Sequence, residues 1–60
     1  MSYTARKLSE AHGNIAGVVG RLATLLTLQR GLRAVELRSM AQRLRQGAAK
    51  LEELADEFDR

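Results

Sequence analysis

His12 is the one residue suited to proton transfer near neutral pH, but its surroundings do not equip it for catalysis. Glu10 and Asn14 stand two residues away on either side, and residues two apart do not face each other on a helix. The chain holds no cysteine and a single histidine, so neither a Cys-His pair nor a metal cluster can be assembled around it. The Gly-x-x-x-Gly and Gly-x-x-Gly spacings of Gly13, Gly17 and Gly20 follow no strand and lead to no Gly-Lys-Ser/Thr, so they are not a phosphate loop. The C-terminal acidic pairs have no apolar pocket to shift their protonation. An enzyme is therefore not expected, and no catalytic residue, cofactor or metal site is assigned. His12 reads as a polar residue at a helix–helix seam.

Arginine offers a second chemistry. Between Arg30 and Lys50 there are six basic residues against one acid, Glu36. Arg33, Arg38, Arg43, Arg45 and Lys50 could follow phosphates along one side of a helical body. That makes a nucleic-acid-binding regulator of RNA or DNA the alternative reading. Leu51 to Arg60 opposes it with five acids, which lower the formal net charge to +3. No aromatic residue is interleaved with the basic ones, so stacking on single strands is not expected.

The elements that would position these groups are helical. The chain of 60 residues has no proline and is rich in Ala, Leu, Arg, Gln and Glu, a composition that favours helix throughout. Leu8, Ala11, Ile15, Val18, Leu22 and Leu25 recur at alternating spacings of three and four, as the two seam positions of a heptad do. A second frame holds Leu37, Met40, Leu44, Gly47, Leu51, Leu54 and Phe58. Continuing the first frame would place Gln29, Leu32, Glu36 and Ser39 on the seam, so the phase resets between them. Gly31 suits the left-handed backbone that follows a helix.

The expected fold is all-α: a two-helix antiparallel, coiled-coil-like hairpin forming a single domain over residues 1–60. Helix one covers about 4–29, a turn about 30–32 and helix two about 33–58. Ser2 or Thr4 is available to cap the first helix. Ser39 to Gln42 has the form of a capping box, but nothing after Gly31 breaks the helical pattern, so a start near Leu32 or Arg33 is preferred.

Ala11 to Gln29 carries one formal charge, Arg21, and three of the five glycines. Opposite its seam, Gly13, Ala16, Gly17, Gly20, Ala23, Thr24 and Thr27 form a small-residue ridge of the kind that lets another helix approach closely. The segment is long enough to span a membrane, but an Arg near its centre costs about 2.5–3.5 kcal/mol on insertion, so a span is disfavoured. No basic start leads into a cleavable apolar run, and a cytoplasmic location is expected.

A single core of this size is marginal, and there is no disulfide or metal to reinforce it. The expected function is accordingly a non-enzymatic protein–protein interaction module. It would be a homodimer forming a four-helix bundle, or a small adaptor, regulator or inhibitor of a larger protein. The expected interface residues are Gly13, Ile15, Ala16, Gly17, Val18, Gly20, Leu22, Leu25, Leu44 and Leu51. Such a bundle with an Arg-bearing face resembles, in architecture, the small plasmid regulators that clamp paired RNA hairpins. Charge order within helix two, basic at its start and acidic at its end, opposes the helix dipole. Two copies packed antiparallel would set each basic half beside the other's acidic half.

Overall fold

The computed structural model describes residues 2–60. It consists of two helices, α1 (Tyr3–Leu28) and α2 (Ala34–Phe58), packed along their length in a body of 46 × 19 × 14 Å. They run antiparallel, because Lys7 near the start of α1 pairs with Glu53 near the end of α2, while Arg21 pairs with Glu36.

Each helix boundary has a local cause. The Ser2 hydroxyl accepts the Ala5 N–H at 3.1 Å, capping α1. α1 passes unbroken through Gly13, as the undisturbed heptad predicts. It ends one residue earlier than expected, because Gln29 takes the left-handed position (φ 51°) and its N–H bonds to the Leu25 carbonyl. Gly31 is also left-handed (φ 73°) and completes the turn. Arg33 is extended and precedes the first residue of α2. α2 thus starts just after the preferred Leu32 or Arg33, and Ser39 lies inside the helix rather than capping it.

The buried residues are Ala11, Val18 and Leu25 on α1 and Met40, Gly47 and Leu54 on α2. On both helices they stand seven apart, so each helix encloses one of its two seam positions. The other position forms a flank on both. Leu8 and Leu22 are 49% and 48% exposed, and Leu44 and Leu51 are 40% and 42% exposed. Phe58, expected on the seam, is 73% exposed. The pairing that sets Lys7 opposite Glu53 brings Phe58 level with Ser2, where α1 has already ended.

Gly47 is buried against α1, with no room for a side chain. A Cβ there would stand 3.2 Å from Ile15 Cγ1 and 3.4 Å from Asn14 Cβ. The seam frame contained Gly47, but only the packing shows that it, rather than a ridge glycine, is the close-approach residue of this hairpin. Cβ atoms at Gly13 and Gly20 would meet nothing within 4 Å.

The flank opposite the leucines carries the polar contacts. Lys7 Nζ meets Glu53 Oε2 at 2.7 Å, and Arg21 Nη2 meets Glu36 Oε2 at 2.8 Å. Between them, Asn14 Nδ2 donates to Gln46 Oε1 at 3.3 Å and to the Arg43 carbonyl at 3.4 Å. Lys7, Asn14 and Arg21 are seven apart, so one heptad position supplies the whole ladder and fixes the axial register of α2. The hydrogen bond to Lys7, aided by its positive charge, holds the Glu53 carboxyl below its ordinary range. The reciprocal bond raises Lys7.

Gly47→Leu should lower stability by about 1–3 kcal/mol, the usual cost of overpacking. Gly20→Ala should raise it by about 0.5–1 kcal/mol through helix propensity. Urea midpoints compare the two. Because the Glu53 pKa is depressed by folding, its contribution is present above the unfolded carboxylate value and is lost as pH falls through the folded one. Glu53→Gln should therefore reduce the urea midpoint at about pH 7 and leave it unchanged once the carboxyl is protonated.

Candidate functional site

α-Helical geometry turns each residue by about 100°, which sorts the remaining side chains around the hairpin. Leu8, Ile15 and Leu22 lie about 40–80° to one side of the buried line of α1. Leu37, Leu44 and Leu51 lie about 40–80° to the same rotational side of α2. In an antiparallel pair the same rotation from the shared seam points to the same face. The polar ladder occupies the other rotation on both helices, so the hairpin has one polar broad face and one apolar broad face.

The apolar face widens outward. Val19 and Leu26 continue it on α1 at 57% and 72% exposure. On α2 the next position out holds Ala41, Ala48 and Ala55, the latter two exposed and Ala41 partly so. Leu8 and Leu22 on α1 and Leu37, Leu44 and Leu51 on α2 leave half-covered leucine on this face, each set reaching over fourteen residues, about 21 Å of helix at about 1.5 Å per residue. Scattered exposed leucines are ordinary, whereas a contiguous apolar patch marks an interaction surface.

The residues expected at an interface therefore divide into three groups. Val18 and Leu25 are enclosed between the chain's own helices. Ile15, Leu22, Leu44 and Leu51 belong to the apolar face, with Ile15 the most covered of the four. Gly13, Ala16, Gly17 and Gly20 are exposed, Gly13 and Gly20 on the outer side of α1, Ala16 at the border of the apolar face and Gly17 toward the polar ladder. The ridge hydroxyls are satisfied within the helix, Thr24 donating to the Gly20 carbonyl at 3.2 Å and Thr27 to the Ala23 carbonyl at 3.1 Å. Gly17 lies beneath a side chain of its own hairpin, since a Cβ there would come within 2.9 Å of Arg43 Nη2. Val19 and Leu26 adjoin seam residues Val18 and Leu25 in sequence, whereas the alanines of α2 join the face only once the side of the hairpin is known.

The basic residues do not share one face. Arg38 and Arg45 are seven apart, as are Arg43 and Lys50, but the two stripes are about 140° apart around α2. Arg43 and Lys50 border the polar ladder. Arg38 and Arg45 border the apolar face, and Arg33 precedes the helix. Arg43 also lines a shallow groove of about 310 Å³ with Gly17, Val18, Arg21, Glu36, Ser39 and Met40. The acid in that groove, Glu36, is already paired with Arg21.

Among the described residues, no group of three or more His, Asp or Glu side chains is placed to hold a metal ion. Among the same residues, no helix is long and apolar enough to cross a membrane. Comparison with protein-family models, with curated proteins and with solved structures finds no match to this chain.

Proposed function

We propose that the chain is a non-enzymatic protein-interaction module that pairs with a second copy through its apolar face to form a four-helix bundle. In that form it would serve in the cytoplasm as a small adaptor or regulator of a larger protein. The observation that carries this reading is the half-covered row of Leu8, Leu22, Leu37, Leu44 and Leu51 on one face. The enclosed apolar core is small: Ala11, Val18, Leu25, Met40 and Leu54. Chains of this size generally reinforce such a core by oligomerising when disulfides and metals are absent. A second hairpin laid on the apolar face would convert the flanking leucines from surface to core and leave the polar ladder in water.

Gly13 and Gly20 of the ridge lie on the side of α1 away from that face, with Ala16 at its border, so dimerisation would leave the two glycines uncovered. They support the adaptor part of the reading, because a partner helix could approach their backbone without displacing the dimer. The nucleic-acid reading has less support, since its five basic residues are split between two stripes and one helix end.

Analytical ultracentrifugation tests the dimer. The chain should sediment as a dimer at micromolar concentration. Val19→Glu alters a side chain already 57% exposed in the hairpin, so helicity should persist while association weakens at least about tenfold through the buried charge. A well-folded monomer of the unaltered chain at micromolar concentration would overturn the proposal.

A further inference from the structure

We infer that the second copy docks antiparallel with α2 against α2, its two-fold axis passing beside Ala48, so that Arg45 pairs with the partner's Glu52 and Arg38 with the partner's Asp59. This rests on the dimer reading above and adds to it a partner orientation and a register.

The argument begins at the rim. The α2 position just beyond the alanines, at the outer border of the apolar face, is occupied by Arg38, Arg45, Glu52 and Asp59. Read along the helix, that rim is positive, positive, negative, negative. Such a row is complementary to itself when reversed, which is what an isologous two-fold contact between antiparallel helices requires. Reversal about Ala48 sets Arg45, three residues before it, against Glu52, four residues after it. The same reversal sets Arg38 against Asp59, ten before and eleven after.

The apolar positions agree with that axis. Ala41 and Ala55 are equidistant from Ala48, so each meets the other across the contact while Ala48 meets itself. Side chains of this size let two helix backbones approach closely. On the inner side, Leu44 faces the partner's Leu51, and Leu37 faces the partner's Phe58. Phe58, at 73% exposed, has no cover within its own hairpin and gains one here.

The intramolecular ladder carries the axis across to α1. Lys7 and Glu53 lie five residues from His12 and Ala48 respectively, and Asn14 and Gln46 lie two from each. His12 is therefore level with Ala48. It occupies the same flank of α1 as Val19, seven residues away, and would stand beside its own counterpart. The corresponding α1 rim is Ser9, Ala16 and Ala23. It offers no acid to Arg38 and Arg45, so the other face-to-face arrangement, α2 over the partner's α1, leaves the charged rim without a complement. The broad side of the 46 × 19 × 14 Å body has room for the ~800 Å² per partner of a standard stable interface.

Charge-swapped chains test the register. A mixture of Arg45→Glu and Glu52→Arg chains gives a heterodimer in which all four rim pairs attract, whereas each homodimer has two repulsive pairs. The heterodimer should exceed its statistical share at least about tenfold by native mass spectrometry. Arg38→Glu mixed with Glu52→Arg carries the same net charges but gains no matched pair, and should mix statistically. As a second measurement, Ala48→Cys should form a disulfide-linked dimer on mild oxidation, since residues on the axis fall within the reach of a disulfide. Ala41→Cys should do so only when mixed with Ala55→Cys. A chain that sediments as a dimer but mixes Arg45→Glu with Glu52→Arg statistically, or fails to cross-link at Ala48, overturns this register and leaves the dimer reading standing. A monomeric chain overturns both.

Discussion

Two helices in contact share one line of closest approach, and in this hairpin that line admits one residue per heptad from each. Ala11, Val18 and Leu25 from α1 and Met40, Gly47 and Leu54 from α2 occupy it. Everything beside the line is shielded on one side and open on the other. Ala11 and Gly47 keep the line narrow, and the 3.2 Å separation between a Cβ at Gly47 and Ile15 shows how little space remains. A glycine in mid-helix costs about 1 kcal/mol of propensity relative to alanine, so its presence here reflects the demand for close approach. The narrow line also limits how much leucine the two helices can cover between them.

The two flanks of the line meet that limit in different ways. On one, Lys7, Asn14 and Arg21 bond across to α2 and remain hydrated. Exposed pairs of this kind add little stability individually. Their spacing nevertheless fixes the register, because sliding α2 by one turn would mispair all three. On the other flank no polar group stands in for the missing cover, and leucine remains half exposed. An asymmetric pair of flanks is what a hairpin needs if it is to form half of a larger bundle with a wet exterior.

The heptad frames, the reset at the turn and the antiparallel pairing were legible in the sequence because each depends on spacing along the chain. The division of each seam into an enclosed and a half-exposed position was not. Leu8 and Ala11 both fit the frame, and only the rotation of the helix about its own axis decides which points into the line. Gln29 in a left-handed conformation was equally hidden, since Gly31 two residues later was the better local candidate and proves to serve the same turn. The arrangement of the arginines depended on rotation: Arg43 and Arg45 are only two residues apart, yet two residues turn the helix through about 200°. Residues close in sequence thus divide between the ladder side and the apolar side.

That division gives the charge order of α2 a physical meaning. Glu52, Glu53, Asp56, Glu57 and Asp59 gather toward the helix C-terminus, where the dipole disfavours them. Within the hairpin, Lys7 answers Glu53 and Arg60 lies 3.7 Å from Glu57. Glu52 and Asp59, on the apolar side, have no such partner among the ion pairs of the described residues. They share a heptad position with Arg38 and Arg45, so the uncompensated acids and bases form one row with its signs separated end to end. A solvated helix face gains nothing from that order. A surface that must recognise its own reverse gains both attraction in one register and repulsion in others, and the apolar face beside it supplies the area such recognition would direct.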